Sequence, residues 1–254
     1  MEIKEQLKAA LAEHPNISKL INDRDIEKWN KKLLGYNNYI TDYLEKENYN
    51  ILTSLMIWNY NRQDAINLLA FLEDSLNVFP ELIASNEFKR NIKSLNEFGF
   101  FSFLSELSLA KQFKANSFKV TFNKKYNKLL SSGIKEKDVD LQVTDGDGNV
   151  TYIEVYSPYK KSQHYGFIDP ESIKGKFDHD LIDKQRDKFH GLIMGQLKGE
   201  IIMAVNIAYH DDYNITRVLP GNDNSKHIQR IRIDNVNRII LFNHDIAREG
   251  VLAP

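Results

Sequence analysis

Two alternating segments joined by a glycine-rich turn commit the middle of this 254-residue chain to a β-hairpin. VDLQV at 139–143 and VTYIEVYS at 150–157 both alternate with period two, as half-buried strands do. Between them, TDGDGN at 144–149 supplies two Asp-Gly pairs suited to the positive φ of a tight turn. A helix from roughly Leu95 to Ala115 precedes the hairpin and leads into a strand, FKVTF at 118–122. A second helix covers roughly Ile173 to Leu192. EIIMAVNIAY at 200–209 follows as a buried strand, because its apolar run is nearly continuous. RIILFN at 238–243 adds a last strand. Helix, three strands, helix, strand and one strand more predict an α/β domain over 97–254, with a central mixed sheet flanked by helices.

Residues 1–96 have a different rhythm. Ile3, Leu7, Ala10 and Leu11, then Ile26, Trp29, Leu33 and Leu34, then Ile66, Leu69, Leu72 and Leu76 recur at helical spacing. This predicts a helical N-terminal region, read as a bundle that packs on or recruits a protein partner. Hydrophobic residues at 42% and charged residues at 27% are ordinary for a globular chain. With no cysteine, thiol nucleophiles, disulfides and thiolate zinc sites are excluded. The charged start, MEIKEQLKAALAEH, and the lack of a long apolar run predict a cytoplasmic protein with no membrane association. A net charge of −1 gives no global attraction to nucleic acid, so any such binding rests on local basic patches.

Carboxylates are the chemical feature of the hairpin. Asp138 and Asp140 share one face of their strand, opposite Val139, Leu141 and Val143. Glu154 shares a face with Tyr152 and Tyr156, and the hairpin lets Asp140 and Glu154 lie side by side. Opposed carboxylates repel, so the pair calls for a cation, a shared proton or solvent. A solvent-facing sheet surface is the alternative. Glu106 lies within the apolar stripe of Phe103, Leu107, Ala110 and Phe113, where a carboxylate is partly desolvated. On the second helix Gln185 falls amid Phe177, Leu181, Ile182, Phe189, Leu192 and Ile193, with Lys184 and Lys188 on one flank. A buried glutamine needs hydrogen-bond partners, which a structural contact or a shared polar site would supply.

Glu106, then Asp140, then Glu154-Val155-Tyr156, set on this order of elements, resemble the PD-(D/E)XK nuclease superfamily. KDVDLQVTDGDGNVTYIEVYSP corresponds to its signature hairpin, and KQRDKF at 184–189 is similar to a Gln-x-x-x-aromatic element on the following helix. The similarity covers roughly 97–210. It implies a restriction-endonuclease-like domain and phosphodiester hydrolysis of DNA, of defence, repair or mobile-element type. It also implies Mg²⁺ or Mn²⁺ on Asp140 and Glu154, with Glu106 joining directly or through water, and catalytic parts for Lys184 and Gln185. A homodimer is compatible with it, since many such nucleases dimerise to cut both strands.

The triplet departs from the pattern, because Tyr156 stands where the family has lysine. Either a lysine of the next helix, Lys184 first and Lys188 second, has taken that role, or the domain binds nucleic acid or protein without cutting. Asp138 competes with Asp140 as ligand. Lys160 and Lys161 beyond the Glu154 strand suit a phosphate backbone, and Tyr156, Tyr159 and Tyr165 suit stacking on unpaired bases. Lys124, Lys125 and Lys128, placed after the first strand, and Arg230, Arg232 and Arg238 read as solvated faces. TDGDGN is not a calcium loop, since Tyr156 falls at position twelve, and His210-Asp211-Asp212 reads as loop polarity.

Overall fold

The structure, a computed structural model, describes residues 3–34, 62–93, 98–157, 170–206 and 235–242. Contacts divide the chain into two compact units, with the division between Leu104 and Ser105.

In the first unit the described helices are α1 (Ile3–Ala12), α2 (Pro15–Ser18), α3 (Asp23–Leu34), α4 (Arg62–Val78) and α5 (Asn86–Lys93). Leu7 and Leu11, Ile26 and Trp29, and Leu69, Leu72 and Leu76 are buried, as their spacing requires. Ile66 differs: it is exposed, and the inward stripe of α4 runs through Leu68 instead. The first N–H groups of a helix have no partner within it. Those of Asn16 and Ile17 in α2 donate to the Glu73 carboxylate on α4, at 3.1 Å.

The second unit is α/β. It is built on α6 (Phe98–Ala115), which carries the division, β1 (Lys119–Leu130), β2 (Gly133–Thr144), β3 (Val150–Tyr156), α7 (Pro170–Phe189), β4 (Glu200–Asn206) and β5 (Arg238–Phe242). The sheet runs β1-β2-β3-β4-β5. Its first three strands are antiparallel, and β4 and β5 join β3 in parallel, so the sheet is mixed. α7 lies in the crossover that a parallel β3–β4 pair requires. Ile202, Met203, Ala204 and Val205 are all buried, which explains the unbroken apolar run of β4.

Two features were not foreseen. The first strand does not stop at Phe122; it runs on to Leu130, turns at 131–132 and returns as β2. Lys124, Lys125 and Lys128 are therefore strand residues, not loop residues. The polar stretch NKKYNK conceals the strand because its inward positions are Tyr126 and Lys128, a tyrosine and a lysine in place of aliphatic residues. Second, β2 pairs with β1 along its whole length but with β3 only from Leu141 to Thr144. Beyond that point β2 leaves β3.

The β2–β3 turn is organised by Asp145, whose carboxylate accepts from the N–H groups of Asp147 and Asn149 and from the Asn149 side chain. After α7 the chain passes alongside β1. Leu129 N–H donates to Gly191 O at 2.7 Å, and Ile193 N–H donates to Asn127 O at 3.3 Å. Gly191 has φ 76°, and a Cβ there would drive into the Leu129 carbonyl. Gly191→Ala is expected to cost about 1–3 kcal/mol from backbone conformation alone, more with the clash. A urea midpoint unchanged from wild type would refute that.

Candidate functional site

Where β2 leaves β3, two side chains are exposed to each other without a ladder between them. The last paired residues are Leu141 and Ile153. One step further, Asp140 turns its carboxylate to the neighbouring strand and accepts the Val155 N–H at 2.7 Å. Glu154 is fully buried. Two cations from α7 meet it, since Lys184 and Lys188 each place Nζ 3.0 Å from Glu154 Oε1. Lys188 also lies 3.8 Å from Asp140 Oδ1 and 3.6 Å from Asp138 Oδ1, and donates to the Asp138 carbonyl at 3.1 Å. One ammonium thus faces all the carboxylates of the site. Lysines four apart lie on one helix face, which is how α7 delivers both.

The ammonium groups sit against Glu154 as charges. Neither carboxylate oxygen of Glu154 accepts a well-directed hydrogen bond within the protein. A buried carboxylate left in that condition favours its neutral form. Burial first, and the Asp140 charge second, push Glu154 up to about 7, even against the pull of Lys184 and Lys188. Asp140 is raised as well, by burial, with Lys188, Lys184 and the Val155 N–H opposing. For Lys188 burial works toward the neutral amine, but Glu154 and Asp140 outweigh it and the group is held charged. Lys184 follows the same balance.

The end of α7 is clamped from β1. Its last carbonyls have no partner within the helix. Tyr126 Oη donates to Lys188 O at 2.6 Å, and the buried Lys128 ammonium donates to Asp187 O. Lys137 pairs with the Asp187 carboxylate at 2.8 Å. Tyr126 also packs with Phe189, Val139, Tyr152, Leu197 and Ile201 in one apolar cluster. These contacts fix the helix turn that carries Lys188.

The structure brings Asp140, Glu154, Lys184 and Lys188 together. It places Lys188 deeper than Lys184, with side chains 12% and 30% exposed, so the lysine ranked second is the more central. Asp138 has a surface partner of its own, Lys125 at 3.3 Å. Burial would raise Asp138, but Lys188 and Lys125 together hold it below the ordinary carboxylate range. Gln185 is buried on the same turn of α7. Glu106 is partly buried on α6, next to Ser105, which accepts the buried Asn206 side chain of β4 at 2.8 Å. Tyr156 is partly buried beside Val205 on β4. Burial, then the Asp180 charge, push Tyr156 up to about 12, so it stays neutral and cannot replace a lysine's charge. Lys160, Lys161, Tyr159, Tyr165, His210, Asp211, Asp212, Arg230 and Arg232 lie outside the described residues. Arg238 holds Glu200 with two contacts of 2.8 Å, a structural pairing of β5 with β4.

No protein-family model, curated protein or solved structure matches this chain. Its chemistry therefore rests on the residues themselves. Among the described residues no three His, Asp or Glu side chains gather closely enough to form a metal-binding group. Asp140 and Glu154 flank one position, which the Lys188 ammonium occupies. Mg²⁺ binds through one or two carboxylates, keeping water and phosphate oxygens for its other positions. Asp140 and Glu154 are donors of that type, and an ion on them would displace the ammonium.

Lys188→Met is expected to destabilise the protein by about 3–5 kcal/mol above neutral pH, because it strands a buried charge. The loss should shrink in acid, where Glu154 is protonated, and a cost independent of pH would contradict this electrostatic account. Glu154 itself titrates at about 7 when folded against 4.5 ordinarily. Between those values the native state holds the proton that the unfolded chain has released, so stability falls as pH rises across that window. Chemical denaturation at a series of pH values should show this decline in wild type and a smaller one in Glu154→Gln, where the raised Asp140 alone remains.

Proposed function

We propose that the second unit is a restriction-endonuclease-like domain that hydrolyses nucleic-acid phosphodiester bonds, DNA in the first instance, with Mg²⁺ or Mn²⁺ held by Asp140 and Glu154. One observation carries the reading: Glu154 is fully buried beside Asp140, and two lysines from one helix face converge on it. A surface ion pair would not need a carboxylate at 0% exposure. Asp140 serves better than Asp138 because Asp138 is matched by Lys125, while Asp140 leaves Oδ1 toward the shared position.

The divalent cation, when bound, supplies positive charge against the phosphate and acidifies water. The chain's own residues supply the rest. Lys188 stays protonated at neutral pH, next to both carboxylates, where it can hold an anionic phosphoryl oxygen as charge develops. Lys184, more exposed on the same face, orients the nucleophilic water or the leaving oxygen. Together they cover the role that Tyr156, neutral and partly buried, cannot fill. Gln185 is assigned to positioning, and Glu106 to joining the metal directly or through water.

A second reading has its own support. Lys184 and Lys188 balance Asp140 and Glu154 without any metal, which suits a silent domain that docks on nucleic acid or protein while the helical residues mediate assembly.

The deciding experiment is cleavage of supercoiled, linear and branched DNA and of single-stranded RNA with Mg²⁺ or Mn²⁺. Asp140→Ala and Glu154→Ala are expected to abolish cutting, and Lys188→Met to reduce it by roughly 10²–10³-fold, as loss of one charge-stabilising donor does. Thermal stabilisation by Mn²⁺ in wild type, absent in Glu154→Ala, checks the metal site without relying on activity. No cutting of any substrate and no metal-dependent stabilisation would leave the silent domain as the better account.

A further inference from the structure

The end of the β1–β2 hairpin is an exposed apolar tip on a basic ribbon. Four large hydrophobic side chains stand out as exposed among the described residues, and two of them form the tip: Leu129 at 61% and Ile134 at 70%. Leu129 and Ile134 are direct partners across the two strands. Residues 191–193 run antiparallel along the outer edge of β1 through the Leu129–Gly191 and Asn127–Ile193 bonds and the Lys128–Leu192 bridge, so Met194 follows the residue level with Asn127, back from the tip. Two solvent-exposed apolar side chains paired at the hairpin end are not explained by the core.

The charge around the tip indicates what covers it. Residues 119–144 hold six lysines and three carboxylates, in a chain whose net charge is −1. Lys125 and Lys137 are matched by Asp138 and Asp187, and Lys128 is buried. Lys124 and Lys135 are exposed, on adjoining strands, and no carboxylate pairs with either among the described residues. Because β2 has left β3, the outer edge of β2 is unpaired here, while residues 191–193 flank the other edge of the hairpin along β1. Leucine and isoleucine are side chains that wedge between base steps once lysines hold the flanking phosphates.

We infer that the β1–β2 hairpin is a duplex-DNA-binding arm, with Lys124 and Lys135 on the phosphates and Leu129 and Ile134 inserted at the bases. The inference rests on the nucleic-acid reading above and extends it to a surface outside the carboxylate site.

The test uses the full chain and a fluorescent duplex in metal-free buffer. Binding is read by anisotropy over a salt series, with hydrolysis of bis(p-nitrophenyl) phosphate plus Mn²⁺ measured in parallel. Leu129→Ser/Ile134→Ser is expected to weaken duplex binding about tenfold or more, as loss of a buried apolar anchor does. Lys124→Gln/Lys135→Gln should lower the slope of log affinity against log salt by about 2. Both variants alter exposed side chains and should hydrolyse the small diester as wild type does. Duplex binding equal to wild type in both variants would overturn the inference, as would no duplex binding by wild type. Uptake onto phosphatidylserine vesicles that needs the tip, with duplex binding that does not, would overturn it in favour of a membrane surface. If no protein hydrolyses the diester but duplex binding still depends on the ribbon, the nuclease reading falls and the arm stands.

Discussion

A carboxylate with no exposure to water organises this domain. Glu154 has exchanged hydration for two ammonium groups, and a charge taken from water is tolerated only where such partners are held in place. The requirement reaches outward. Lys184 and Lys188 must stand on one face of α7, and α7 must stop where its last turn faces the end of the β3 ladder. Long lysine side chains give up considerable freedom when fixed, so the helix beneath them has to be rigid. β1 provides that rigidity by satisfying the last carbonyls of α7 with the Tyr126 hydroxyl and the Lys128 ammonium. A cation at a helix C-terminus also suits the local dipole.

Much of this was legible in the sequence because it follows from short-range periodicity. Alternation about Val139, Leu141 and Val143 identifies a strand with its carboxylates on the other side, and those residues are buried as alternation demands. The nearly continuous apolar run at 200–209 reads as a buried strand, and its described part, Glu200–Asn206, is one. Gln185, placed mid-stripe from helical angles alone, is buried. Helical angles also put Lys184 and Lys188 on one flank. They do not say which is deeper, because depth depends on where the helix ends against β1, and that is a tertiary fact.

What could not be read had its cause in polar side chains used as interior groups. NKKYNK reads as loop because a lysine normally signals solvent, yet Lys128 is buried on a helix carbonyl and Tyr126 spends its hydroxyl on another. The hidden strand is the one that clamps α7, so the same misleading residues account for both the missed strand and the missed clamp. Asp138 and Asp140 are indistinguishable by parity. They are separated by Lys125, which sits across the ladder from Asp138 on the strand that the polar stretch conceals, and by the Val155 N–H, which Asp140 accepts.

The parting of β2 from β3 joins these features. Had the ladder continued, Asp140 and Glu154 would stand directly opposite on paired strands, and like charges there destabilise a sheet. Ending the ladder at Leu141 and Ile153 avoids that pairing, and the Asp140 carboxylate takes the Val155 N–H in place of a carbonyl. A charged acceptor makes the stronger bond, so the sheet gives up a neutral contact for a charge-assisted one. On one side of the break lies the notch into which α7 delivers its lysines. On the other side β2 keeps only β1 as a partner and continues to the hairpin end at Leu129 and Ile134, with residues 191–193 along the far edge of β1. The same interruption of one strand pair thus opens the carboxylate site and frees the arm, and a chain that straightened this ladder would lose both.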